Sequence, residues 1–246
     1  MLTEKPLMKA ENKQKTIVLL GITSYPEGWE SKVAEIDPLS IREVALFPTS
    51  IDLDERKKLY QALEKTNLER IPHVHLRHDM AEWELKFFVD KYKTKVFNIH
   101  GSKRAYRLLD FEKYRSMIYI ENSDYFDEYF EKSLKLSAGL CIDYSHWHDY
   151  GKLQNFPDYD QFDDLVKRYP IGCGHLSAIL KEPYGEDYGH GLKKHYNSHK
   201  LTLPAEVSYI KEYLDCLPRY LSIELQNSLA EQLEIKTYVE KLIGNR

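Results

Sequence analysis

Eight short β-branched or aliphatic runs, each followed by a turn signal and a charged helical stretch, succeed one another along this chain. No other feature restricts its folding so strongly. The runs are Ile17 to Ile22, Glu43 to Phe47, Ile71 to Leu76, Val96 to Ile99, Met117 to Ile120, Gly139 to Ile142, Ile171 to Cys173 and Tyr220 to Leu225. Amphipathic stretches lie between them, such as Leu53 to Thr66, Glu82 to Tyr92 with Trp83, Phe87 and Phe88, and Glu206 to Leu214. Eight sequential β-then-α units in 246 residues are what an α/β protein of the (β/α)8 TIM-barrel type requires. An open doubly wound sheet shares the alternation and differs in failing to close. No Pro/Gly/Ser-rich linker interrupts the units, so a single domain over 16–246 is expected, preceded by a loose polar tail, 1–15. The one long gap separates Cys173 from Tyr220. Its front half, Lys181 to Lys200, is rich in Gly, Tyr, His and Lys and reads as a long loop on the functional face, with His190 and His195 in solvent.

Charge and composition remove several classes. Lys and Arg number 35 against 39 Asp and Glu, a net charge of -4 without long blocks of one sign, so the broad basic footprint of a non-specific nucleic-acid binder is missing. No run of about 18 apolar residues exists to span a membrane. The lysine-rich start lacks the apolar segment of a signal peptide, and the three cysteines are odd in number and far apart. These features point to the cytoplasm and to no disulfide framework.

In a barrel of this kind chemistry sits where the strands end. Here the third run closes on His73, His75, Arg77 and His78, the fourth on His100, the fifth on Glu121, the sixth on Asp143 and His146, the seventh on His175 and the eighth on Glu224. Alternation turns Glu121, Asp143 and Glu224 towards the same mouth. Three carboxylates so placed repel one another unless a cation sits among them, which predicts a divalent metal: Mn, Co, Mg or Zn. Each group alone has a plainer reading, a packing histidine or a rim salt bridge for Arg77 or Glu224; the joint pattern carries the inference. Tyr25, Trp29, Tyr144, Trp147 and Tyr150 form either an aromatic wall or core packing. His148 and Asp149 are either partners of a ligand or part of a solvated loop, and Cys141 and Cys173 read as small buried residues.

From residue 71 to about 230 this pattern resembles the xylose isomerase-like barrel superfamily, which includes sugar isomerases and epimerases and the endonuclease IV family. The most specific piece is Leu140-Cys141-Ile142-Asp143-Tyr144-Ser145-His146, similar to that family's Asp-x-x-His element. For the epimerase branch the resemblance implies one metal held by Glu121, Asp143, His175 and Glu224, with His146 on substrate oxygens. For the endonuclease branch it implies further ligands, His73, His100, His146 and His199, in a two- or three-metal cluster. There the expected Asp-x-His pair is replaced by Asn197-Ser198-His199.

Two chemistries follow from the resemblance. In the first, Glu121 and Glu224 move a proton at the carbon beside a carbonyl through an enediolate, while His146, Lys181 and His100 hold substrate oxygens and His75, Arg77 and His78 take a terminal hydroxyl or phosphate. In the second, a metal cluster hydrolyses a phosphodiester, as in an abasic-site endonuclease. A catalytically silent binding module is a third class. Charge balance, the Asn197 departure and the short segments Pro48 to Asp54 and Arg77 to Glu82 favour the first, with a small polyhydroxylated substrate rather than nucleic acid or membrane as partner. The helical faces leave a homo-oligomer open.

Overall fold

The computed structural model describes residues 15–25, 28–187 and 192–244. The proposed tail up to residue 14 and His190 lie outside them. The barrel strands are β1 (Ile17–Leu19), β2 (Gly21–Thr23), β3 (Glu43–Phe47), β4 (Arg70–His75), β5 (Val96–His100), β6 (Ile118–Glu121), β7 (Gly139–Asp143) and β8 (Ile171–Leu176). A hairpin of β9 (Ala178–Asp187) and β10 (Leu192–Ser198) intervenes before the last, β11 (Tyr220–Ile223). Neighbouring barrel strands are parallel throughout, in the order β1-β11-β8-β7-β6-β5-β4-β3-β2.

β1 and β2 divide the first run at Leu20. One half pairs with β11 and the other with β3, so a single segment joins both edges and the sheet curls into an α/β barrel. The open-sheet alternative is thereby excluded. At this seam a Cβ on Gly21 would lie 1.9 Å from the Ile223 carbonyl oxygen, so only glycine permits the approach. The backbone groups of Gly21 are taken by the buried Gln232 side chain: Gly21 N–H donates to Oε1 at 2.7 Å and Nε2 donates to the Gly21 carbonyl at 3.0 Å.

Two apolar layers follow from strand alternation. Val18, Ile22, Val44, Leu46, Val74, Ile120 and Ile142 point outward under the helices, joined by Leu59, Phe88 and Ile235. Inside the barrel sit Leu19, Ala45 and Phe47, then Val96, Cys141 and Cys173. Each large side chain so buried contributes about 1.5–3 kcal/mol. Asp52 caps the helix Leu53–Leu63 through the Asp54 and Glu55 amides, and Ser228 with Glu231 forms a capping box on Leu229–Leu242. The expected helix within Glu206 to Leu214 is a longer 3₁₀ segment, Pro204–Cys216.

The segment expected to be a loop, Lys181 to Lys200, is instead largely the antiparallel hairpin β9–β10. Its base is fixed by the fully buried Asp149, whose Oδ2 accepts from the Tyr196 and Asn197 amides (2.9 and 3.0 Å) and from Asn197 Nδ2 (2.6 Å). Lys193 pairs with Asp124 in the loop after β6 and tethers the hairpin across the mouth. His195 is buried rather than in solvent, bonded through Nδ1 to the Tyr150 hydroxyl at 2.9 Å.

Candidate metal centre

Glu121 ends β6, Asp143 ends β7, His175 lies in β8 and Glu224 follows β11, so four neighbouring strands deliver one side chain each to the mouth. One ligand-type atom from each lies within 4.8 Å of all the others. His175 Nδ1 is 3.2 Å from Glu121 Oε1, 3.1 Å from Glu224 Oε2 and 4.0 Å from Asp143 Oδ2. Asp143 is held by one oxygen only: Oδ1 accepts from Ser145 Oγ (2.6 Å) and the His146 amide (2.9 Å). Its Oδ2 and His175 Nδ1 are buried and make no hydrogen bond, although charged partners surround them. Buried polar atoms are rarely left this way. Three carboxylates and one imidazole converging on a common point are the donor set of a hard or borderline divalent cation, and the residues fit one.

Electrostatics agree. Burial alone would lower His175, but Glu121 and Glu224 raise it well above the usual histidine range. Burial opposes ionisation of Glu224, yet His175 and His199 hold it down to about 2; Glu121 is likewise held well below the carboxylate range by His175, His100 and His75 against its burial. A proton on His175 thus does part of the work a cation would do.

A second group shares Glu121. His75 Nε2 lies 2.8 Å from Oε2 and the half-exposed His100 Nε2 lies 3.3 Å from Oε1, and the three side chains also satisfy metal-ligand spacing. His73 does not join it. It sits one layer deeper, with Nδ1 2.7 Å from Ser222 Oγ and Nε2 2.8 Å from Asn98 Oδ1. Asn98 in turn donates its amide to Glu121 Oε2, so its Oδ1 can only accept, and His73 carries its proton on Nε2. Ser222, His73, Asn98 and Glu121 therefore form one directional chain of hydrogen bonds, buried throughout. Asn98 is two residues before His100 on β5, so alternation alone could have placed it at this site.

The remaining candidates separate clearly. His146 Nε2 is 4.0 Å from Asp143 Oδ2 and faces the mouth. His199 sets Nδ1 3.0 Å from the Glu224 carbonyl oxygen. Asn197 spends its amide on Asp149 and on the Tyr150 hydroxyl at 3.3 Å. Arg77 pairs with Asp79 at 3.1 Å and borders a second cavity with the exposed His78, whereas Lys181 is exposed on β9 and borders neither cavity. Tyr25 and Tyr150 line the mouth, while Trp29, Tyr144 and Trp147 belong to the core. His148 bonds Tyr213 at 3.1 Å and Asp149 anchors the hairpin. A residue outside the strand-end pattern, buried Lys32, donates to Thr23 Oγ1 (2.6 Å) and the Leu225 carbonyl (2.9 Å). Burial brings its ammonium down to about 8 against the pull of Glu35 and Glu224. The mouth itself is a cavity of about 700 Å³.

No family model and no curated protein matches this sequence. Among solved structures the chain is similar to a xylose isomerase domain protein from Planctomyces limnophilus, with a TM-score of 0.51 and 13% identity over 96% of this chain and 100% of that one. At that identity the likeness shows the fold alone, an α/β TIM barrel. Among the described residues no helix is long and apolar enough to cross a membrane.

Proposed function

We propose that this barrel is a divalent-metal-dependent isomerase or epimerase of a small polyhydroxylated carbonyl compound. One observation carries the reading: ligand-type atoms of Glu121, Asp143, His175 and Glu224 converge within 4.8 Å of one another at the floor of the mouth, with Asp143 Oδ2 buried and without a hydrogen bond. Glu121, Asp143, His175 and Glu224 would hold the ion, which when bound polarises a carbonyl and offsets the charge of an enediolate. Glu121 and Glu224 flank His175 and stand on either side of a substrate resting there. Glu224 is 14% exposed against 2% for Glu121, so Glu224, the more accessible carboxylate, would take the proton beside the carbonyl and Glu121 would return a proton to carbon from the other side. His146 and the polar wall of Tyr25, Tyr150 and Tyr184 hold hydroxyls. Similarity in fold to a xylose isomerase domain protein is consistent with this class.

The test is deuterium incorporation at the carbon next to the carbonyl, with divalent-loaded protein in deuterated buffer and a panel of aldoses and ketoses. No exchange across the panel would sink the isomerase reading. The group His75, His100 and Glu121 favours a second reading, a metal-dependent phosphoester hydrolase of the endonuclease IV kind. That reading expects two or more ions per chain by elemental analysis and cleavage of an abasic-site duplex. Against it, Asn197 brings no carboxylate and is already committed to Asp149.

A further inference from the structure

The mouth has two unlike halves. Under the hairpin its wall is largely aromatic and polar, with Tyr25, Tyr150, Tyr184 and Asn197 beside His195, His199 and Lys200. On the other side, across His75 and His100, it continues into a second cavity of about 750 Å³ between the loops after β4 and β5. That cavity is bordered by Arg77, His78, Lys103 and Arg104.

The charges of this second cavity do not cancel. Of its two carboxylates, Asp124 is paired with Lys193, whereas Asp127 accepts from the Tyr129 amide at 2.8 Å as a helix cap and keeps its charge, one carboxylate against Arg77, Lys103 and Arg104. Arg77 is matched by Asp79. Lys103 lies over the Tyr129 ring at 5.9 Å and feels the charge of Glu128, which is itself paired with Lys132, while Arg104 and His78 make no hydrogen bond or ion pair among the described residues. Two exposed permanent cations, neither in an ion pair among the described residues, thus border a cavity that joins the carboxylate-rich centre through His100. Such an arrangement recognises an anion: arginine offers a planar fork of donors suited to phosphate oxygens, and lysine a point charge beside it.

We propose that this cavity is a phosphate subsite, and that the substrate is a small phosphorylated polyhydroxy compound with its phosphomonoester on Lys103 and Arg104 and its hydroxyls under the hairpin. The identity of the non-phosphate part rests on the isomerase reading; the subsite does not. The hairpin tether from Lys193 to Asp124 stands at the join of the two cavities and favours a small molecule over a duplex.

The experiment uses the full chain after chelator treatment, titrated with inorganic phosphate in 0.15 M chloride, a salt level of about the physiological ionic strength, and followed by ³¹P NMR and calorimetry. Saturable binding is expected, weakened about tenfold or more in K103A/R104A, with an unchanged capacity for divalent ions. Binding that needs the metal and ignores the double substitution overturns the subsite, because the ion would then be the phosphate ligand. Absence of phosphate binding with deuterium exchange on neutral sugars overturns the subsite and leaves the isomerase reading intact. Phosphate binding as expected without exchange on any phosphorylated sugar upholds the subsite and overturns that reading. Tighter, Lys103- and Arg104-dependent binding of an abasic-site duplex than of phosphorylated sugars overturns the small-substrate assignment.

Discussion

Glu121 is the residue on which the site turns, because it serves the centre with His175, touches His75 and His100, and ends the chain from Ser222 through His73 and Asn98. Partners that orient a ligand commonly govern metal affinity about 10–100-fold. Asn98→Leu removes the donor to Glu121 and strands the His73 N–H. We expect a loss of about 1–3 kcal/mol in stability and divalent affinity down at least about tenfold by calorimetry. In the unaltered protein, ¹⁵N NMR should find His73 protonated on Nε2; a proton on Nδ1 together with unchanged affinity in the variant would refute the chain.

The same residues set a pH dependence for the chelated protein. His175 is raised well above 6.5 and His100 to about 9, in each case by Glu121 against the opposing effect of burial. Groups raised in the folded state add stability that is full below the unfolded value and lost as pH climbs through the folded one. The melting temperature of the chelated protein should therefore fall from about pH 6.5 to 9. Glu224, held down to about 2, acts oppositely: its contribution is present above its unfolded value of 4.5 and disappears as pH drops towards 2. Divalent ions should flatten the alkaline fall, since deprotonated imidazole is the form that binds. A melting temperature that rises from pH 6.5 to 9 without metal would contradict the charge arrangement.

At the level of elements, the strands were readable wherever apolar residues alternate with polar ones, and the hairpin was not. On β10 the inward positions are His195 and Asn197, so the period of two is written in polar residues and carries no hydrophobic signal. Its stability comes from Asp149, a residue on a turn of π-helix far from it in sequence. Asp149→Ala leaves the Tyr196 and Asn197 amides without their acceptor, at a cost of about 1–3 kcal/mol for each group kept buried. Release of the hairpin is the easier response. Amide exchange at Tyr196 and Asn197 should rise by orders of magnitude and protease should cut within β9–β10 while the barrel stays folded. Unchanged protection at those two amides would show that Asp149 is not the anchor.

For the whole molecule, alternation and strand count were enough to expect a barrel, and the strand-end carboxylates and imidazoles were enough to expect where its chemistry sits. His73 and His75 illustrate the limit, since both face inward two residues apart and only the depth of each along β4 separates a residue bonded to Asn98 from one that touches Glu121 in the candidate metal site. Closure was the other hidden matter. No residue pattern within Ile17 to Ile22 shows that the segment breaks at Leu20 and pairs on both sides; that depends on Gln232, over two hundred residues later, reaching the Gly21 backbone. Its amide also donates to the Leu225 and Asn227 carbonyls at 3.3 and 2.9 Å. Gln232→Leu keeps the volume but leaves the Gly21 N–H buried without an acceptor and those carbonyls short of a donor. A seam held in this way should lose at least about 2 kcal/mol, from one stranded donor and several weakened acceptors. In urea this should appear as a lower midpoint with an unchanged slope, because the same surface is exposed on unfolding. A midpoint shift worth less than about 0.5 kcal/mol, the range of ordinary surface substitutions, would mean that the barrel closes through β1–β11 and β2–β3 pairing alone and that Gln232 merely fills the gap.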